Sequence, residues 1–314
     1  VSARESGMPQ TNDELRTRVR TAIGRVSVWS FTLERHPIGR EREAVAEMEA
    51  LGYPVVWIPE GLGSKDALSH AGLLLSGGKN IIVATGIASI WARDPVAMAT
   101  GARLLEEGFP NRFLLGIGVS HRTSVDRRGA FHYESPYTRM QRYLEAMEAA
   151  RYPVRDAPAP PPVVLAALGP KMLRLAAERA AGAHPYFVPV EHTVRARETL
   201  GDSPILAPEQ AVVLERDPEK ARTIARGHMQ HYLKLENYAN NLRRLGFSQA
   251  DLGEGGSDRL VDAIVGWGGV EAIQTRVRQH LDAGADHVSV QVLTEDPVRI
   301  PLAELRDLAP ALLA

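Results

Sequence analysis

The sequence predicts a single α/β domain, a (β/α)8 TIM barrel, on three observations. Eight strand-like segments each lead into a helix-like one from residue 25 onward. The strand segments are short β-branched runs bounded by turn residues, as expected for a parallel sheet buried on both faces. The chain's 314 residues suit one such barrel, with no long helical domain before or after it and no internal repeat that would indicate a solenoid. An open doubly wound sheet is the competing arrangement of the same alternation.

The eight strands are expected at 25–31, 54–58, 80–85, 112–118, 162–167, 186–189, 211–215 and 287–292. The sixth and seventh are the weakest of these patterns. Amphipathic segments at 41–51, 95–107, 136–150 and 171–181 fall between them. Asp94-Pro95 and Ser135-Pro136 pair an N-cap residue with proline at the first helical position, which marks two helix starts. Val270, Ile273, Val277 and Leu281 recur every three or four residues and give one helix an apolar stripe toward the sheet. Residues 1–22 form a polar N-terminal extension, 119–133 an insertion after the fourth strand, and 221–266 a helical insertion before the last helix. Insertions beside strand ends are candidate lids. The proline-rich 156–162 is a stiff lead into the fifth strand rather than a domain linker, so 1–314 is expected to be one domain.

Composition excludes whole classes of function. Thirty-seven basic and 38 acidic residues nearly cancel, so no global field draws the chain to nucleic acid or an anionic membrane. Cysteine is absent, which removes disulfides, thiolate nucleophiles and zinc-thiolate sites. No apolar run approaches the roughly 20 residues of a membrane span, and the first 22 residues lack the apolar stretch of a secretory signal. A cytoplasmic location is expected. The histidines show no ligand spacing that gathers a third partner, so no metal is expected, and no Gly-x-Ser-x-Gly marks a hydrolase nucleophile.

One strand-to-helix turn carries chemistry. Ala166-Ala167-Leu168-Gly169-Pro170 brings a short apolar strand to a glycine that allows close backbone approach, then to a proline opening a helix. The free N–H groups of such a start bind phosphate. Ser120 and His121 follow the Gly-x-Gly that ends the fourth strand, where a barrel places functional groups. His121 is the first candidate proton donor or acceptor, because an imidazole titrates near neutral pH, and Glu60 is the second. Trp29 and Trp91 stand at the ends of the first and third strands and would shape an apolar substrate pocket.

Six segments in order complete the pattern: 47–53; Val55-Val56-Trp57-Ile58-Pro59-Glu60; Ala84-Thr85-Gly86-Ile87-Ala88-Ser89 with Arg93-Asp94-Pro95; 111–118; 166–170; and Ala283-Gly284-Ala285-Asp286-His287-Val288. With these, residues 25–293 resemble the bacterial luciferase-like flavin and deazaflavin enzymes, and within them the actinobacterial coenzyme F420-dependent oxidoreductases. The resemblance implies a ring cofactor across the strand ends. Gly86-Ile87 matches a bulge with a non-prolyl cis peptide, and Ser89 a ring-contacting position. Val119 and Ser120 match the loop after the fourth strand, and Ala166, Ala167, Leu168, Gly169 and Pro170 the phosphate turn. All of these are expected to converge on one elongated cleft. The sugar-phosphate branch of the family has a histidine directly after the acid at Glu60; here it is Gly61, so that branch's substrate is not carried over.

The implied activity is hydride transfer between F420 and a small organic substrate, expected to be a hydrophobic carbonyl, alcohol or alkene. The alternatives are an FMN-dependent two-component monooxygenase and a cofactor-binding protein without turnover. A homodimer is expected through 94–107, with Val96, Met98 and Leu104 as apolar surface.

Overall fold

The computed structural model describes residues 11–61, 63–126 and 133–314. Among them, eleven strands form one parallel sheet: β1 Val26–Trp29, β2 Val55–Ile58, β3 Ile82–Thr85, β4 Ala88–Ser89, β5 Phe113–Gly118, β6 Val163–Leu165, β7 Gly182–Ala183, β8 Ile205–Leu206, β9 Glu209–Val213, β10 Gly266–Trp267 and β11 Val288–Val292. The hydrogen-bonded order is β10-β9-β11-β1-β2-β3-β5-β6-β7-β8, with β4 on β5. The two ends of this path meet in the chain itself. Strand β8 pairs with β7 and β9 pairs with β11, and only Ala207-Pro208 separates β8 from β9. Eight staves therefore close into a barrel, β8 and β9 making one of them. β4 prolongs the third stave and β10 lies against the upper end of β9.

Seven of the eight expected strands lie on these staves. The sixth does not: the stave is Gly182–Ala183, while 186–189 is loop, with Phe187 at φ 56°. A β-carbon on Gly182 would fall 2.0 Å from the Ile205 carbonyl oxygen, so close backbone contact selects small residues where a β-branched run was expected. The N-terminal extension also differs from expectation. Asn12–Ile23 is a helix whose start is a capping box between Thr11 and Glu14. Its Val19 and Ile23 pack with Val55, Ile82 and Leu114 and close one end of the barrel. Arg20 holds it there through Asp286 at 2.7 Å and the Ser203 carbonyl at 2.8 Å.

Outside the staves, the helices bury a continuous apolar layer against the sheet. Asp94 and Ser135 cap helices Pro95–Gly108 and Pro136–Glu148 with proline in the first turn. On the first of these, Val96 and Leu104 are 48% and 62% exposed, but Met98 is fully buried against the barrel and offers no surface. Segment 221–266 contributes to helices Pro218–Tyr232, Glu236–Arg244 and Asp258–Ile264. They share a core with Ala225, Met229, Leu242 and Val261, onto which Phe31, Leu168 and Tyr186 of the barrel's open end also pack. The 119–133 segment holds a short helix Arg122–Asp126, and its residues 127–132 lie outside the described ones.

Candidate active site

The third stave breaks its register at the expected place. Val83 pairs with Phe113, yet Ala88 pairs with Ile117, so one more residue lies on this stave than on its partner. This is a β-bulge, and the Gly86–Ile87 peptide within it is cis. The Gly86 N–H donates to the Ile58 carbonyl at 2.7 Å, and the Ile87 carbonyl accepts from the Glu60 N–H at 3.1 Å. Only glycine fits at 86, because a β-carbon would fall 2.6 Å from Trp29 Nε1 and 3.0 Å from His184 Nε2. The Ile87 side chain lies over Gly118, where a β-carbon would be 2.7 Å from it.

Glu60 is the anchor of this region. Its carboxylate accepts from the Ser89 N–H at 2.7 Å, the Ala67 N–H at 3.2 Å and Arg93 Nη1 at 3.0 Å, with Arg93 Nη2 closer still. Arg93 also pairs with Asp66 at 2.6 Å. Ser89 Oγ accepts from the Trp91 N–H at 3.3 Å, and Trp91 Nε1 donates to the Val119 carbonyl at 2.8 Å. The Trp91 ring is buried under Arg139, 4.7 Å from its centroid. Glu60, Ser89, Trp91 and Ser120 thus surround a hollow of only about 10 Å³, roughly one water molecule's room.

His121 Nδ1 lies 3.0 Å from Asn237 Oδ1. An amide oxygen only accepts, so Nδ1 carries the proton and Nε2 the lone pair. Burial pushes the His121 pKa down, against the smaller opposing effect of Asn237, and the ring is a neutral base at pH 7. At the end of β6, the Ala166 N–H donates to the Ile117 carbonyl at 2.9 Å, Ala167 is buried, and the Leu168 carbonyl faces His192 Nε2 at 3.0 Å. Gly169 is the N-cap of helix Pro170–Arg179, and a β-carbon there would meet nothing within 4 Å. The helix's leading N–H groups have no partner within the helix.

Among the described residues, Ser89 and Ser120 line the small hollow, while Gly169 lines neither it nor the large cleft. Helix Glu236–Arg244 packs over the strand ends, with Asn237 on His121 and the Tyr238 ring 5.4 Å from the imidazole. Leu168 is packed into the same insertion core. Tyr232 and Tyr238 of the insertion pack on Tyr186 and Phe187. A large cleft of about 1050 Å³ opens elsewhere, between the ends of β1 and β11 and helix Pro218–Tyr232. Of the sequence-derived candidates, Trp29 lines it.

Two buried groups at this end were missed. Glu209 is 1% exposed; one oxygen accepts from the Phe187 N–H at 3.1 Å and the other has no protein partner. Burial raises its pKa to about 8, so it is protonated at neutral pH. His184 stacks on Trp57 with ring centroids 4.2 Å apart. Its Nδ1 donates to the Ala207 carbonyl at 2.7 Å, its Nε2 has no protein partner, and burial lowers its pKa to about 4. A lone acid in the apolar run Ile205-Leu206-Ala207-Pro208-Glu209-Gln210-Ala211-Val212-Val213 was the available signal for Glu209. Among the described residues, no cluster of three or more histidine, aspartate or glutamate side chains could hold a metal ion.

The family described as luciferase-like monooxygenase matches residues 20–287. The chain belongs to this family. Among solved structures, an F420-dependent secondary alcohol dehydrogenase in complex with an F420-acetone adduct aligns with a TM-score of 0.71 and 14% identity, over 92% of this chain and 98% of that one. The coenzyme F420-dependent tetrahydromethanopterin reductase of Methanopyrus kandleri aligns at 0.70 and 17%, over 91% and 97%. The oxygenating constituent of 3,6-diketocamphane monooxygenase from Pseudomonas putida, in complex with FMN, aligns at 0.66 and 17%, over 91% and 98%. At such identities these likenesses establish the luciferase-like barrel. The family's description is that of monooxygenases, a class of oxidoreductases.

Proposed function

We propose that this luciferase-like protein is an oxidoreductase that uses coenzyme F420 for hydride transfer to or from a small organic substrate. The observation that carries the reading is the turn at Gly169: a helix N-terminus without a side-chain cap, with open space where a β-carbon would stand, on the stave next to β5. A phosphate fits that turn. Ala166, Ala167, Leu168, Gly169 and Pro170 would hold it, and Gly86, Ile87, Ser89, Val119 and Ser120 would hold the ring. The two F420-dependent structures also align with higher TM-scores than the FMN-bound monooxygenase. When bound, the deazaflavin supplies the hydride chemistry.

The chain's own residues then position and move protons. With its Nε2 lone pair free, His121 accepts the proton of an alcohol as that alcohol is oxidised. Glu60, spent on Arg93 and the Ser89 N–H, acts as a positioning residue that ties the loop after β2 to the bulge. Trp29 shapes the substrate side, and Trp91 backs the wall under Ser89. The reading requires helix Glu236–Arg244 to move off His121 when the ring enters. Exposed Val96 and Leu104 support a homodimer, which sedimentation at micromolar concentration checks.

Side-by-side fluorescence titration with F420 and FMN tests the assignment. Micromolar binding of F420 is expected. Binding of FMN alone would replace the reading with the FMN-dependent monooxygenase, which the FMN-bound neighbour supports. F420 bound without turnover over a broad substrate panel would make the chain a cofactor-binding protein.

A further inference from the structure

The 1050 Å³ cleft at the ends of β1 and β11 is large enough for a drug-sized ligand. Its walls are apolar and aromatic: Trp29 and Phe31 meet edge to face at 4.5 Å, and Tyr232, Ile224 and Leu293 face them. Its charged residues, Arg35 and Lys220 against Glu219, Glu295 and Asp296, are exposed at the rim and of both signs. The polar groups farther in are uncharged.

One of them has a fixed orientation. The Tyr186 hydroxyl lies 2.9 Å from Gln291 Oε1 and 3.1 Å from the Tyr232 hydroxyl. A phenol has one proton, and an amide oxygen can only accept. The shorter contact is the one to Gln291, to whose amide oxygen Tyr186 donates, with the Tyr232 hydroxyl beside it. With its oxygen taken, the Gln291 amide presents its nitrogen as a donor to the cleft it lines.

We propose that this cleft binds an uncharged, planar aromatic ketone, its ring against Trp29, Phe31 and Tyr232 and its carbonyl oxygen accepting from the Gln291 amide nitrogen. The proposal rests on the oxidoreductase reading in that a ketone is the hydride acceptor, or an alcohol's oxidation product. The binding itself needs no cofactor. A carboxylate of the same shape is disfavoured, because it would leave water without a cation beside Gln291 to receive it.

The test is calorimetric titration of the full chain at pH 7, without cofactor, with three naphthalenes substituted at one ring position: the methyl ketone, the carboxylate and the ethyl compound. The ketone is expected to bind about ten-fold tighter than the other two, the scale of one hydrogen bond to a buried donor. Gln291→Leu is expected to remove the ketone's advantage over the ethyl compound and leave the latter's affinity unchanged. Tyr186→Phe keeps the ring but deletes the hydroxyl that orients the amide. It is expected to reduce the same advantage several-fold, and it decides the matter if the Gln291 variant does not fold. A carboxylate that binds as tightly as the ketone, a ketone no better than the hydrocarbon, or no binding at all would overturn the proposal. Ketone binding with no affinity for F420 would sink only the cofactor reading, and F420 binding with no ketone binding only this one.

Discussion

Glu60, in the loop after β2, and Glu209, at the first residue of β9, are both carboxylic acids enclosed by protein, and their surroundings are opposite. Glu60 is surrounded by donors: the Arg93 guanidinium and the N–H groups of Ala67 and Ser89. Glu209 has one donor, the Phe187 N–H, and stands among Tyr186, Tyr232 and Tyr238, whose phenols burial pushes upward. A buried carboxylate with a cation and several N–H groups is a structural fastener, whereas one with a single N–H keeps its proton. The bulge side of the barrel mouth is therefore rigid and ionic, and the side beneath the insertion is neutral and hydrogen-bonding.

The largest expected effect tests the neutral side. The folded pKa of Glu209, about 8, lies above an unfolded value near the usual 4.5. The folded state then holds more protons than the unfolded one between those values. Stability from this group is fully present below about pH 4.5 and is lost as pH rises toward 8, at up to about 1.4 kcal/mol per pH unit. In Glu209→Gln that slope should vanish, so denaturant unfolding should show the variant gaining on the parent as pH rises. Parallel stability profiles for the two proteins would mean that Glu209 ionises in the fold.

On the ionic side, Glu60→Ala leaves Arg93 buried with Asp66 as its remaining carboxylate partner. Breaking a buried pair from one side costs about 3–5 kcal/mol, and Asp66 should hold the loss near the lower end. Urea unfolding at pH 7 measures it. A loss below about 1 kcal/mol, the range of exposed pairs, would show the network to be ornamental.

The glycines sharpen the same contrast. Gly86→Ala forces a β-carbon against Trp29 Nε1 and His184 Nε2 and should cost about 1–3 kcal/mol. Gly169→Ala meets open space at an ordinary φ of −90° and should be near neutral in thermal melting. Equal losses in the two variants would contradict the picture of a packed bulge facing an open turn.

How much of this was legible follows from the same physics. The apolar run Val55-Val56-Trp57-Ile58 and the valine-rich Val288-Ser289-Val290-Gln291-Val292 located staves to within one or two residues, because β-branched residues mark a strand buried on both faces. Gly182–Ala183 was invisible because backbone contact with Ile205, not pattern, selects it. Helix Asn12–Ile23 was hidden by its charges, although Thr11 and Glu14 spell a capping box. The bulge at Gly86-Ile87 was anticipated from the family resemblance, and the turn at Gly169 from a short apolar strand that runs into Gly-Pro. The division of the mouth was not readable. It depends on where Tyr232, Tyr238 and Asn237 of the insertion land, and tertiary packing alone decides that.

The smallest effect concerns His121, where the insertion meets the rim. Asn237 Oδ1 accepts from His121 Nδ1, which raises the imidazole's pKa, while burial, the larger influence, lowers it. Asn237→Ala removes the raising influence only, so the pKa should fall further. If neutral His121 accepts the substrate proton, turnover in the oxidative direction is lost as pH drops through that pKa, and in the variant the acid limb should move to lower pH. Turnover at pH 7 should decline only a few-fold, in keeping with one hydrogen bond worth about 0.5–1.5 kcal/mol, because the imidazole remains but its tautomer is no longer fixed. His121→Ala should abolish the acid limb and lower turnover more than it weakens cofactor binding. An acid limb that stays in place in both variants would assign the proton to another group and leave His121 as the contact on which helix Glu236–Arg244 rests.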